Sequence, residues 1–227
     1  MGAAFAFMLS IITAYLVGSF PTSFIVAKTL KGIDIREVGS KNAGATNVLR
    51  TTGRIPALFT LIVDLVKGIL AVTVVAGFFY QFLPEVDFDF YRPFMGFVAV
   101  CGHIWSVFLR FKGGRGVATT LGVAVITAPI MLLPSLGIWL AIFFLTNYVS
   151  LASILALIAF PILATIFNYP FYTVAFSVII CGIVVYKHKE NIKRLLKGEE
   201  NKTVLFKRSG NSCNSSAIRR TSDVGDI

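Results

Sequence analysis

The sequence is short of acids, of histidine and of cysteine, and each shortage narrows the chemistry open to it. Its 227 residues hold 11 Asp and Glu against 21 Lys and Arg, with two His and three Cys. With only His103 and His188 available, a histidine metal centre is not expected. Cys101, Cys181 and Cys213 have no paired spacing, and the first two lie in apolar segments. That pattern argues against a disulfide framework or a thiolate metal site, leaving packing roles or, for Cys213, a place in the tail. No metal and no other cofactor is predicted. Polar stretches long enough to build a second core are also lacking, so residues 1–207 are expected to form a single domain. Basic residues do not interleave with aromatics outside the apolar segments, so nucleic acid is not an expected partner.

What the chain has instead is apolar length. Hydrophobic residues make up 56% and charged residues 14%, with a mean hydropathy of +0.80, which is the composition of a polytopic membrane protein. The expected fold is all-α, a transmembrane helix bundle. Residues 3–17 resemble a signal peptide but lack a basic leader, and the run stays apolar to Ala27, so it reads as a retained first span. Further runs cover 55–80, 93–111, 150–167 and 171–186, and the 31-residue run 117–147 reads as two short helices turning near Pro134. The total is seven spans; treating 117–147 as a hairpin that does not cross gives an alternative of five.

Charge assigns the sides. Lys28, Lys31, Arg36, Lys41, Arg50 and Arg54 outnumber Asp34 and Glu37 after the first span, which places that loop in the cytoplasm and the N-terminus outside. Glu85, Asp87 and Asp89 fit an external loop, and Lys187, Lys189, Lys193, Arg194 and Lys197 put the end of the last span back inside. Residues 208–227, rich in Ser, Asn and Arg, read as a disordered cytoplasmic tail.

Under that topology three polar stretches share one face. The first, V-G-S-K-N-A-G-A-T-N-V-L-R over 38–50, packs small residues whose N–H groups can form an anion-binding nest, though an ordinary connector between helices would look similar. The second, F-K-G-G-R-G over 111–116, sets Lys112 and Arg115 on a backbone that can approach a phosphate closely; it lacks the spacing of a P-loop. The third, H-K-E-N-I-K-R-L-L over 188–196, puts His188, Asn191 and Arg194 in one helical row. Ser150 begins a helix at the same face. Glu190, Lys193, Glu199 and Glu200 read as a solvated helix face. Inside the second span, Asp64 and Lys67 sit three apart, roughly 14 to 18 Å from its inner end, as a structural clamp or a functional pair. His103 and Ser106 read as an interhelical hydrogen-bonding row.

These three stretches and the L-x-x-D-x-x-K-G-like run over 62–68, in this order and spacing, resemble the membrane acyl-phosphate:glycerol-3-phosphate acyltransferases, the PlsY family. The resemblance covers about residues 3–200. Two positions depart from the family pattern: Lys41 stands where the first motif usually has glycine, and Arg115 where the second usually has lysine.

The resemblance implies transfer of a fatty acyl group from acyl phosphate to glycerol 3-phosphate in the bacterial cytoplasmic (inner) membrane, with the site on the cytoplasmic side. Its partners would be those two small molecules, membrane lipid, and docking of the soluble enzyme that makes acyl phosphate. Ser40, Arg50, Lys112, His188 and Asn191 would carry the reaction. Gly39, Asn42, Gly44, Thr46, Asn47, Gly113, Gly114, Arg115 and Ser150 would bind substrate. His188 and a substrate phosphate oxygen are rival acceptors for the hydroxyl proton. An anion transporter is the alternative from another class, disfavoured by the absence of matching halves and of charges continuing to the far face. An intramembrane serine protease is weaker still, since no Gly-x-Ser-Gly stretch pairs with a histidine inside the membrane.

Overall fold

The computed structural model describes residues 2–203; the expected tail over 208–227, with Cys213, lies outside them. Among the described residues every regular element is helical. In chain order the α-helices are α1 (Ala3–Ser19), α2 (Thr22–Lys31), α3 (Ala45–Thr51), α4 (Arg54–Leu70), α5 (Ala76–Tyr80), α6 (Phe88–Ile104), α7 (Val117–Thr127), α8 (Pro129–Thr146), α9 (Val149–Ile166), α10 (Phe171–Lys187) and α11 (Lys189–Leu196).

Five segments are long and apolar enough to cross a membrane: Ala3–Lys31, Arg54–Tyr80, Phe88–Leu109, Pro129–Thr146 and Val149–Ile166. A sixth qualifies if α10 and α11, bent by 59° at His188, are taken together. α7, with 11 residues, is about 16 Å long at 1.5 Å per residue. Large side chains such as Ile55, Leu145 and Phe171 point outward at 83%, 79% and 77% exposure. An apolar exterior of this kind suits lipid, not water.

Local sequence explains the boundaries that the apolar runs alone misplace. The break expected near Pro134 falls at Ala128, while Pro134 lies inside α8. Pro129 is the cause: as the first residue of α8 it pushes the preceding residue out of the α region, and Ala128 has φ −149° and ψ 59°. α6 begins five residues before the expected Pro93, because Asp87 caps it by accepting a hydrogen bond from Asp89 N at 2.9 Å. Between α4 and α5 the chain makes a π-helical turn over Ala71–Val75, and Arg92 Nε donates to the Val72 carbonyl at 3.2 Å.

Close contacts hold the elements that carry polar groups. α1 packs along α6 and α4 along α7. At the second contact Gly68 lies on the Thr119 carbonyl and Gly122 on the Leu65 carbonyl, where any side chain would collide with backbone. Ser106 Oγ donates to Ser19 O at 2.5 Å, and Ser19 Oγ to Gly102 O at 3.2 Å. Of the expected row, Ser106, just past the end of α6, joins the end of α1, whereas the His103 ring lies 3.8 Å from Asp64 on α4.

Candidate active site

The first loop is braced from within. Asn47 is 1% exposed, and its amide donates to Ile35 O at 2.9 Å and Val38 O at 3.0 Å while accepting from Ser40 N at 2.8 Å. All of that side chain's bonding serves the loop's own backbone, so it fixes the shape of the loop over residues 35–40. Gly39 has φ +62°, and a methyl there would strike the Asn47 amide oxygen. Lys41 has φ +55°. A left-handed conformation costs a non-glycine residue about 1 to 2 kcal/mol, which is a physical reason for glycine at this position. Gly44 caps α3, which carries Thr46 on its first turn and Arg50 on its last.

The second loop folds back onto α6. The N–H groups of Gly113 and Gly114 donate to Ile104 O and His103 O, both at 3.1 Å. Gly114 also faces the Ala43 carbonyl of the first loop, so the two glycine-rich stretches touch. Lys112 is exposed, and its ammonium makes no hydrogen bond or ion pair among the described residues.

The third stretch meets both through a residue that the sequence reading misplaced. Glu200 is 7% exposed, not a solvated face residue. Its Oε1 accepts from Ser150 Oγ at 2.8 Å and Asn191 Nδ2 at 2.6 Å, and its Oε2 accepts from Arg194 Nε at 2.7 Å. Burial alone would raise its pKa, but those three hydrogen bonds outweigh burial and hold it below the usual carboxylate range. Arg50 closes the far side by donating to Asn201 O at 3.1 Å and Thr203 Oγ1 at 3.5 Å. Glu190 and Lys193 lie on the solvated helix face that was expected, 3.3 Å apart.

Arg115 is half-buried and has no hydrogen bond or ion pair of its own among the described residues. Burial lowers its pKa to about 10 despite the nearby Glu200, with Arg194 and Arg50 pushing the same way as burial. His188 sits just beyond the end of α10, 2% exposed, with Nδ1 2.8 Å from Val184 O. Burial, then the Arg115 charge, push its pKa down to about 4. The imidazole is therefore neutral near pH 7. A carbonyl can only accept, so Nδ1 carries the hydrogen and Nε2 is left as an acceptor. Asn191 Oδ1 is buried with no partner among the described residues. Two acceptors and a surplus of cations thus meet at one end of the bundle, which is a place for a molecule bearing hydroxyls and phosphate.

That fold and that site define an integral membrane protein with a cation-rich polar end. The family model "Glycerol-3-phosphate acyltransferase" matches residues 8–198, and the chain belongs to that family. It is 46% identical over 198 residues to a glycerol-3-phosphate acyltransferase of Geotalea daltonii, covering 87% of this chain and 96% of the relative. A Prochlorococcus marinus enzyme of the same name is 45% identical over 197 residues, covering 86% and 96%. Crystal structures of PlsY (YgiH), an integral membrane glycerol 3-phosphate acyltransferase, superpose with a TM-score of 0.78 at 39% identity for the glycerol 3-phosphate form. The lysophosphatidic acid form gives 0.75 at 38%. Coverage is 87% of this chain and 96% of the first structure, and 86% and 94% for the second.

Proposed function

We propose that this protein transfers a fatty acyl group from acyl phosphate to the primary hydroxyl of glycerol 3-phosphate, giving 1-acyl-glycerol 3-phosphate and inorganic phosphate. The observation that carries the reading is the charge imbalance among the described residues: Arg50, Arg115 and Arg194 surround the carboxylate of Glu200, with Lys112 unpartnered beside the glycine loop. Two phosphate-bearing substrates repel each other, and a cation surplus is what lets both occupy one site.

In this reaction the hydroxyl oxygen attacks the acyl carbonyl carbon, the new ester C–O bond forms, and the C–O bond to phosphate breaks. The proton leaves with the departing phosphate. An acyl phosphate is already activated, so neither a covalent nucleophile nor a metal is required, and positioning dominates. Ser40, Asn42, Gly44 and Thr46, on the loop that Asn47 braces, cradle the donor phosphate. Ser150, His188 and Asn191 orient glycerol 3-phosphate, with Nε2 and Oδ1 accepting from its hydroxyls. A histidine pulled to about pH 4 is a weak base, which favours a substrate phosphate oxygen as the proton acceptor.

Residues 1–207 act as one domain that crosses the bacterial inner membrane seven times, with the N-terminus outside and the site cytoplasmic. The excess of exposed Lys28, Lys31 and Lys41 at that end favours this orientation and suits docking of the soluble enzyme that supplies acyl phosphate. In a cysteine-free background, an impermeant thiol reagent added to intact cells should label Ile130→Cys and spare Lys41→Cys. Labelling of position 41 overturns the orientation, and an unlabelled position 130 returns the five-span arrangement.

The activity is tested by giving the purified protein glycerol 3-phosphate with acyl phosphate, acyl-CoA or acyl carrier protein in turn. Product from acyl phosphate alone is expected; product only from a thioester donor overturns the reading.

A further inference from the structure

Beneath the polar end lies a second polar cluster, which joins α1, α4 and α6 to both glycine-rich loops. Lys67 Nζ donates to Asp64 Oδ1 at 2.6 Å and to Phe20 O at 2.5 Å. Their side chains are only 5% and 3% exposed. Nδ1 of His103 lies 3.8 Å from the same carboxylate oxygen. The opposite edge of the ring, Nε2, presses on Gly114, where a methyl group would strike both that nitrogen and the Ala43 carbonyl. Two backbone hydrogen bonds, from Gly113 N and Gly114 N at 3.1 Å, fasten the loop to the residues carrying this ring. Thr22, whose hydroxyl is buried without a partner among the described residues, lines the small cavity shared by Asp64, Lys67, His103 and Gly114.

A buried ion pair within a membrane helix is costly, and well-packed apolar side chains would hold α4 to its neighbours as well or better. Stability alone is therefore a weak reason for this arrangement. What apolar side chains would not do is orient an imidazole. From this geometry we propose that His103 is a positioning residue: the Asp64–Lys67 pair fixes its ring, and the ring sets the spacing between Ala43 of the first loop and Gly114 of the second. Resting on the reaction assigned above, that spacing governs how closely the two bound substrates approach one another. Its loss acts on the ternary complex more than on either substrate's own binding, because each loop keeps its own donors. Misplacement by about 1 Å can cost a hundredfold in rate.

The test is steady-state kinetics of the full chain in detergent, with melting temperature measured alongside. His103→Ala should lower kcat at least tenfold while both KM values stay within threefold, and His103→Gln should recover part of the loss. Asp64→Asn, which keeps the shape and removes the carboxylate facing the ring, should lower kcat in the same pattern. Combined with His103→Gln it should add little further loss, since the two act through one ring. Unchanged kcat per folded molecule, or losses that multiply in the double variant, would overturn the proposal; the conservative pair decides the matter if the alanine variant does not fold. Hydrogen exchange separates failure here from failure of the reaction assignment. Even with no turnover in the unaltered protein, His103→Gln should speed exchange at both residues 40–44 and 112–116, and exchange unchanged at either loop overturns the proposal.

Discussion

Two buried carboxylates divide the molecule. Asp64, inside α4, has one cation, Lys67, at 2.6 Å and a tight backbone anchor through it. Glu200, after α11, has Arg194 at 2.7 Å, two neutral donors, and Arg50 and Arg115 near enough to feel its charge. The first site is balanced and the second is not. On the proposed reading, balance inside the bundle orients what lies above it, whereas surplus at the polar end attracts an anion. Removing a charge should therefore have different consequences at the two places.

The largest effect is expected where the surplus is unpartnered. Lys112→Ala removes a cation with no protein partner among the described residues, so folding should hold while turnover falls. A charge-assisted bond to a dianion is worth roughly 1.5 to 3 kcal/mol, about ten- to a hundredfold, and more where water is scarce. Near-normal kcat/KM in that variant would take Lys112 out of the site.

Glu200→Gln probes the organiser of the surplus, and its main effect should be on stability. The glutamine keeps the shape but weakens three hydrogen bonds, a loss of about 1 to 3 kcal/mol, discounted because Arg194 is 31% exposed. Its folded pKa is depressed, so the carboxylate's contribution is complete above its ordinary value of about 4.5 and is lost as pH falls through the folded value. Thermal unfolding followed downward from pH 6 should show that acid-side decline in the unaltered protein and a smaller one in the variant. Parallel profiles would contradict the assignment.

His188→Gln comes next. If the ring only orients glycerol 3-phosphate, KM for that substrate should rise about tenfold, with the pH–rate profile above pH 6 unchanged. A general base would instead contribute 10² to 10⁴ in kcat. The native ring resists protonation down to about pH 4, against 6.5 for a free histidine. The unfolded chain therefore binds the extra proton in that window, stability falls as pH drops through it, and the variant should lose that slope. A thousandfold rate loss at constant KM, with a flattened pH profile, would make His188 the base.

The smallest effect concerns Lys41. Relief of its left-handed backbone in Lys41→Gly, partly offset by glycine's greater freedom when unfolded, should stabilise the chain by at most about 1 kcal/mol. Calorimetry should register a rise of no more than about 2 to 4 °C. A fall in melting temperature would show that the lysine makes up for its strain elsewhere.

The apolar runs made most helices legible, because burial in lipid demands length and leaves long unbroken patterns. Boundaries set by a single residue were harder: Pro129 and Pro134 are both possible breaks in the 117–147 run, and only the residue entering the helix decides. Of the site, the three polar stretches and Ser150 were readable because each is locally dense in small or cationic residues. Glu200 was not, since its partners Ser150, Asn191 and Arg194 are 50, 9 and 6 residues away and no periodicity joins them. Its one outward sign was an acid among basic residues just past a helix end. Asn47 was recognised as part of the loop, but only geometry distinguishes a residue that braces a loop from one that offers itself to a ligand.

The claim that a cation surplus defines the site is tested most directly by calorimetric titration of glycerol 3-phosphate into the unaltered protein, Arg115→Met and Lys28→Met. Arg115 is a half-buried guanidinium without a hydrogen-bonding partner among the described residues, whereas Lys28 is exposed and bonds Gly32 O at 3.2 Å at the end of its own helix. Loss of a charge-assisted contact predicts an affinity at least about tenfold weaker for Arg115→Met. Lys28→Met should bind as the unaltered protein does. Equal affinity in all three, or equal weakening in both variants, would contradict the account.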